Sequence, residues 1–266
     1  MLYYFNSQKG DWSLQQLGPI TDETPEITTG PSLMKTPTLW ITALWVTLVT
    51  SWGAAVHAQN QPVVIELFTS QGCSSCPPAD ALMHKLAARG DVIALSMHVD
   101  YWDYIGWKDE FGRPENAARQ RSYAAAGGRR SVFTPQMIIG GVDSVVGTHP
   151  MDVADLIAKH SASQKDVAIK VARSNGLITV VATARRAAKY EIKLVSFTGK
   201  RTTKIKRGEN AGKTITYVNV VSNFQTVKKW DARTPLSIAA KAGSGPMVVL
   251  IQRAGHGAIE AAAVVN

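Results

Sequence analysis

The spacing of apolar positions changes near residue 162, and this change predicts two regions of different architecture. Before it, continuous apolar runs such as 63–68 and 92–99 alternate with segments that have apolar residues at helical spacing. After it, apolar and polar residues alternate with a period of two, and no helical segment intervenes. The first pattern predicts an α/β domain over residues 59–161, and the second predicts an all-β antiparallel sandwich over residues 162–266.

Two helices of the first region have polar residues away from their apolar faces. The helix that follows residue 76 is predicted to keep Asp80 on a face other than its apolar one. The helix over residues 114–126 is predicted to present Arg119 and Tyr123 on a solvated face.

The first 58 residues predict segments that precede the mature protein. From Met34 a basic residue, a short apolar stretch broken by threonines and small residues before Gln59 form the pattern of a secretory signal peptide over residues 34–58. A bilayer span would need about 20 continuous apolar residues. Residues 1–33 are predicted to be a mis-assigned upstream extension. We therefore expect a periplasmic or secreted protein with no stable membrane span after signal removal.

Charge and composition narrow the classes of partner. The chain is 45% hydrophobic, which excludes a disordered protein, and its net charge is +9. Residues 162–266 hold 18 basic and 5 acidic side chains, densest over residues 200–207. This excess favours an anionic surface or an acidic partner, or else lysines that protect an edge strand from aggregation. Nucleic acid is not expected, because aromatic and basic residues are not interleaved.

The two cysteines of the chain form a Cys-Ser-Ser-Cys motif between the first predicted strand and the first predicted helix. Pro77 and Pro78 place the helix start near residues 74–76, because proline is tolerated only in the first turn. There the helix N-terminus would lower the pKa of Cys73 from about 8.5 into the range of roughly 3.5 to 7.5. We expect Cys73 to be the accessible nucleophile and Cys76 the resolving thiol. A Cys73 sealed in apolar packing would contradict this.

Three uses of the cysteine pair remain open on these residues. A C-x-x-C motif in a βα turn favours a thiol-disulfide oxidoreductase. A copper carrier would use Cys73, Cys76 and His98, although these residues have no metal-ligand spacing of their own. A static disulfide would close a loop of only four residues, in a non-catalytic binding module. No organic cofactor is predicted, since no phosphate-binding glycine-rich loop follows a strand.

Further candidates surround the motif. Glu66, inside the first apolar run, would accept a proton from Cys76 or pair with a basic residue. His98 would shuttle a proton or be a satisfied core histidine. Tyr101 and Trp102 follow the second strand, and they would form a rim that binds a partner polypeptide or an aromatic cluster between the domains.

Three motifs carry a family resemblance: ELFTSQGCSSCPPAD at 66–80, HVDYWDY at 98–104 and FTPQM at 133–137. With these motifs the mature chain resembles the exported bacterial thioredoxin-like family known as domain of unknown function 1223. The resemblance implies a thioredoxin fold and exchange with protein or small-molecule thiols and disulfides. It also implies that Pro135 follows a cis peptide bond beside the cysteines, where the backbone of Thr134 binds substrate.

Overall fold

The computed structural model describes residues 61–265, together with two short strands, β1 (Phe5–Asn6) and β2 (Asp11–Trp12), that pair with each other. The predicted signal peptide, and the predicted upstream extension apart from those two strands, lie outside the described residues. None of the helices in this described part of the chain has the length and apolarity that a bilayer crossing requires.

Helices and strands alternate in the first half of the described chain, and strands follow one another in the second half. The helices are α1 (Pro77–Ala87), α2 (Pro114–Ala126), α3 (Pro150–Ala162) and a single 3-10 turn at Asp103–Ile105. The strands are β3 (Val63–Thr69), β4 (Val92–His98), β5 (Gln136–Ile139), β6 (Asp143–Val146), β7 (Val167–Ser174), β8 (Leu177–Ala184), β9 (Tyr190–Lys204), β10 (Thr214–Trp230), β11 (Leu236–Lys241), β12 (Met247–Arg253) and β13 (Ile259–Val265).

One mixed sheet of eight strands connects the two halves. Its order is β13-β12-β9-β10-β4-β3-β5-β6, and a second sheet has the order β11-β8-β7. The prediction of a thioredoxin-like α/β domain followed by a separate antiparallel sandwich is therefore wrong. The physical reason is the parallel pairing of β10 with β4 through Val220 and Ser96, which continues the sheet from one predicted region into the other.

The apolar run of β3 is covered on both faces of this sheet. Ile65 and Leu67 pack with Met83 of α1, whereas Val64 and Phe68 pack on the opposite face with Tyr123 of α2. Alternate residues of a strand point to opposite faces, so a strand buried on both sides has no polar positions to alternate.

The strands β9 and β10 form a long hairpin of 15 and 17 residues. The end of β9 near Tyr190 lies in the core, whereas residues 198–202 are exposed. The two strands are joined at their far end by residues 205–213, which we call the cover segment. The hairpin places this segment against the cysteine motif, as described below.

Candidate functional site

Cys73 and Cys76 form a disulfide immediately before α1, with their Cα atoms 5.4 Å apart. The helix begins at Pro77, and Cys76 is its N-cap. The backbone amides of Ala79 and Asp80 donate to the Cys76 carbonyl at 2.9 and 3.1 Å. The two prolines thus start the helix as their chemistry requires. The expected arrangement differs in one respect, because Cys76 and not Cys73 occupies the helix N-terminus.

Both cysteines are fully buried, with 0% of each residue exposed, although Ser74 and Ser75 between them are exposed. The Cys73 Sγ atom lies 3.4 Å from the Ser75 hydroxyl oxygen. Thiol-disulfide exchange requires a thiolate to reach a sulfur atom. The expectation of an accessible Cys73 is therefore corrected, and in this conformation the disulfide is shielded from an attacking thiolate.

The cover segment packs on the loop that carries the motif. The side-chain amide of Asn210 donates to the carbonyl oxygens of Gln71 and Cys73 at 2.9 and 2.8 Å. Lys213 in turn donates to the Asn210 side-chain oxygen at 2.8 Å. Asn210 and Ile205 are both buried. The second half of the chain thus contributes directly to the surroundings of Cys73.

Gln71 ties this loop to two further elements. Its backbone amide donates to Asp109 at 2.8 Å, and its side-chain oxygen accepts a hydrogen bond from the Trp107 indole at 2.7 Å. Its side-chain amide donates to Thr203 of β9 at 3.4 Å. The motif loop is therefore fixed both by the segment after β4 and by the long hairpin.

The aromatic segment after β4, residues 101–107, lies between the motif loop and Thr134. A Cβ atom built on Gly72 would lie 3.1 Å from the Trp102 Cβ, so the two backbones are in close contact. The Trp102 indole donates to the Thr134 hydroxyl at 2.7 Å, and the Thr134–Pro135 peptide is cis. Tyr101 donates to Gln120 at 3.0 Å. The predicted substrate-binding residues Trp102 and Thr134 are thus brought together beside the motif.

Pro135 and Ala79, in the first turn of α1, both lie close to Gly147. A Cβ atom built on Gly147 would lie 3.0 Å from the Ala79 Cβ and 3.3 Å from the Pro135 Cβ. Gly147 therefore allows β6 to approach both the helix and the proline closely. Outside this group, Tyr104 is 81% exposed and stacks on Trp102 at a centroid distance of 6.4 Å.

Glu66 lies on the sheet face opposite to α1 and forms a buried ion pair. Its two carboxylate oxygens accept hydrogen bonds from Arg119 at 2.7 and 3.1 Å, and one also accepts from Tyr123 at 2.5 Å. The structure thus gives the alternative of a carboxylate paired with a basic residue, and it corrects the idea that Glu66 accepts a proton from Cys76. It also shows that Arg119 and Tyr123 are buried, contrary to the prediction of a solvated face.

His98 lies on the α1 face, buried between Tyr217 and Phe111 at ring distances of 4.6 and 5.3 Å. Its Nδ1 atom is 2.7 Å from the Asp109 carboxylate, whereas its buried Nε2 atom has no hydrogen-bond partner among the described residues. Burial alone would raise the pKa of Asp109, but His98 and two backbone amides hold this pKa below its usual range. Asp109 therefore orients the imidazole through Nδ1.

Asp80 is the functional candidate that sequence reasoning missed. It lies one helical turn after Cys76, and it is buried on the sheet side of α1. Thr69 donates to Oδ1 at 2.9 Å, whereas Oδ2 is buried without a partner among the described residues. Burial raises the pKa of Asp80 from 3.8 to about 7, a rise that His98 and Thr69 oppose and Asp109 reinforces. A sequence signal existed in the four-residue spacing from Cys76, which places both residues on one helix face.

The family known as "Protein of unknown function (DUF1223)" matches residues 64–252. The chain belongs to the DUF1223 family. The match includes the cysteine motif, the aromatic segment and the long hairpin, and it confirms the predicted family.

Solved structures resemble this DUF1223 chain as well. Protein AGR_C_4864 from Agrobacterium tumefaciens is 34% identical, and the match covers 76% of this chain and 93% of that one with a TM-score of 0.67. HBP35 of Porphyromonas gingivalis is 12% identical, with coverage of 77% and 74% and a TM-score of 0.58, so it shares the fold alone. A search of curated proteins gives no match.

The copper-carrier alternative would require Cys73, Cys76 and His98 to share one metal ion. Among the described residues, no group of three or more His, Cys, Asp or Glu side chains is arranged to hold a metal ion. Cys73 and Cys76 are joined in a disulfide, and His98 Nδ1 is occupied by Asp109. The motif is therefore a disulfide, and the buried Asp80 carboxyl group lies one helical turn further along α1.

Proposed function

We propose that this protein is a thiol-disulfide oxidoreductase that exchanges its Cys73–Cys76 disulfide with the dithiols of a partner polypeptide or a small molecule. The observation that carries the proposal is the disulfide at the N-terminus of α1 with the buried carboxyl group of Asp80 one turn further on. Burial raises the pKa of this carboxyl to about 7. A disulfide that closes so short a loop contributes less stability than one that closes a long loop. An oxidising periplasmic or extracellular location fits such a disulfide.

The proposed reaction moves two electrons from the partner to the protein. A partner thiolate attacks the Cys73 Sγ, the bond between the two Sγ atoms breaks, and Cys76 leaves as a thiolate. The second partner thiolate then attacks the partner's sulfur in the mixed disulfide and releases Cys73. The partner dithiol becomes a disulfide, and the protein disulfide becomes a dithiol. The reverse sequence oxidises the protein.

Two features of the structure support these roles. Cys76 is the N-cap of α1, where the free amides and the helix dipole stabilise a leaving thiolate. Asp80 on the same helix face is protonated below its pKa of about 7, so it holds a proton that the Cys76 thiolate requires. We assign this proton transfer to Asp80, since Glu66 lies on the opposite sheet face. The backbone beside Thr134 and Pro135, with Trp102, would bind the partner chain.

A binding module with an inert disulfide is the second candidate function. The complete burial of both cysteines is the observation that favours it. In that case the disulfide would only fix the loop that carries Gln71, and a partner would be recognised elsewhere on the surface.

Insulin reduction in the presence of dithiothreitol separates the two functions. For an oxidoreductase we expect the wild-type protein to catalyse the reaction and Cys73→Ala to abolish catalysis. Cys76→Ala should instead accumulate mixed disulfides, which mass spectrometry detects. Lys241→Glu, an exposed change on β11, is the control and should retain activity. A wild-type protein that is folded but inactive, with its disulfide intact in mild dithiol, would establish the inert module.

A further inference from the structure

Because Cys73 is buried, part of the protein must move before the proposed exchange can occur. Both cysteines are fully buried, so no thiolate reaches either sulfur in this conformation. The inference below rests on the proposed function, because an inert disulfide would need no such movement.

The cover segment is the element whose attachment to Cys73 depends on few contacts. Its Asn210 amide holds the carbonyls of Gln71 and Cys73, and Lys213 holds Asn210 in turn. Gly208 packs against the aromatic segment, where a Cβ atom would lie 3.3 Å from the Trp107 Cβ. Local opening has a low free energy where few buried contacts hold a segment.

The hairpin behind the cover segment packs on the core through β10 and is exposed on both strands only at its end. On β9, residues 198–202 are exposed, but three of the β10 residues paired with them, Tyr217, Val218 and Val220, are buried. Further toward the cover segment, Lys204 pairs with Thr214, and both of these residues are exposed. The cover segment therefore follows a pair that does not pack on the core, and local opening there costs less free energy than opening of the buried pairs. Loss of the Asn210 contacts would therefore let the end of the hairpin move while the buried part of the sheet stays intact.

The end of the β9–β10 hairpin next to the cover segment is strongly basic. Six exposed basic side chains lie on it or on the cover segment: Lys200, Arg201, Lys204, Lys206, Arg207 and Lys213. The acidic residues nearby are Glu110, whose carboxylate is 3.5 Å from Arg201, and the exposed Glu209. The surplus of positive charge favours a partner that carries carboxylates, and such a partner would be attracted to the segment that is hydrogen-bonded to the Cys73 backbone.

We propose that residues 205–213 form a movable cover over the disulfide, held closed by Asn210, and that an acidic segment of a dithiol polypeptide binds the basic hairpin and displaces this cover. The polypeptide supplies both the charge that recognises the hairpin and the thiols that react with Cys73. Asn210 is a positioning residue here, since it acts through the backbone of the motif loop.

The first test compares Asn210→Ala with the wild-type protein during reduction by dithiothreitol. Loss of two hydrogen bonds to the motif loop should accelerate reduction about ten-fold. Asn223→Ala, an exposed change on β10, the strand that follows the cover segment, is the matched control and should react at the wild-type rate. Equal rates for Asn210→Ala and the wild-type protein would overturn the cover.

The second test uses two synthetic dithiol peptides with the same Cys-x-x-Cys core, one rich in glutamate and one rich in lysine. The wild-type protein should react faster with the acidic peptide, and 0.5 M salt should reduce the difference. The double change Lys206→Glu, Arg207→Glu should lower the ratio of acidic to basic rates, whereas Lys241→Glu should leave it unchanged. A ratio of one in the wild-type protein would overturn the proposed partner. Binding to anionic lipid vesicles with no peptide preference would assign the hairpin to a membrane surface instead.

Hydrogen–deuterium exchange of the wild-type protein keeps the proposal testable if Asn210→Ala does not fold. An acidic peptide with serine in place of cysteine should accelerate amide exchange in residues 205–213 and not in β3. Protection of residues 205–213 by the peptide would contradict displacement. If instead no thiol reduces the disulfide of any folded variant, the proposed function itself fails, and this outcome differs from equal rates among reactive variants.

Discussion

Two buried carboxylates on opposite faces of the same sheet have different environments. Glu66 is neutralised by Arg119 and also bonded by Tyr123, whereas Asp80 has one hydroxyl donor and an oxygen with no partner among the described residues. A buried charge is tolerated when it is paired, and an unpaired carboxyl group instead takes up a proton. The comparison indicates that the Glu66 face stabilises the fold and that the Asp80 face holds the titratable group.

The largest expected change in the free energy of unfolding comes from breaking the ion pair of Glu66. Arg119→Met should lower the free energy of unfolding by about 3–5 kcal/mol, because it leaves the Glu66 carboxylate buried without its cation. Urea unfolding measures this change. The double variant Glu66→Leu, Arg119→Met should recover much of the loss, since no unpaired charge remains. A loss below about 1 kcal/mol for the single change would contradict the structural role of the pair.

The second largest expected effect is on the pH dependence of the free energy of unfolding, to which Asp80 contributes. Its pKa is raised in the folded state, so the stability it contributes is complete below pH 4 and is lost as the pH rises to about 7. Asp80→Asn should remove up to about 4 kcal/mol of this variation. Thr69, His98, Asp109 and Tyr217 surround Asp80 and are retained in both proteins. Parallel curves of unfolding free energy against pH for the two proteins would contradict a raised pKa.

The smallest effect comes from removing one hydroxyl donor on each face. Tyr123→Phe should lower the free energy of unfolding by about 1–3 kcal/mol, because it removes a buried hydrogen bond to Glu66. Thr69→Val should move the Asp80 titration to higher pH, because the Thr69 hydroxyl hydrogen bond lowers the pKa of this carboxyl. Carbon-13 NMR of the Asp80 carboxyl measures the shift. A titration that moves to lower pH would contradict the assigned hydrogen bond.

Local chemistry predicted the parts of the site that depend on neighbouring residues. Pro77 and Pro78 fixed the start of α1, the apolar run placed β3, and three motifs indicated the family. Alternation of apolar and polar residues with a period of two predicts a strand, but it does not predict which strand it pairs with. The pairing of Val220 with Ser96 joins segments more than 120 residues apart, so the single large sheet was not foreseen.

The contact of the cover segment with Cys73 and the burial of Asp80 could not be predicted from the sequence, for the same reason. Asn210 reaches Cys73 only because β10 pairs with β4, next to β3, and no local sequence pattern predicts that contact. Asp80 follows the helical spacing of a polar position, yet β4 and β10 close over it. Glu66 was noticed because a carboxylate interrupts an apolar run, but its partner Arg119 comes from a distant helix.

The dependence of the Cys73–Cys76 reduction rate on urea tests the central claim most directly. Oxidised wild-type protein is reduced by dithiothreitol at increasing urea below the unfolding transition, and free thiols are counted by alkylation and mass spectrometry. We predict a rate nearly independent of urea, because local opening of residues 205–213 exposes little surface. A rate that rises with the full denaturant dependence of global unfolding would show that the disulfide is accessible only in the unfolded chain, and it would contradict the oxidoreductase.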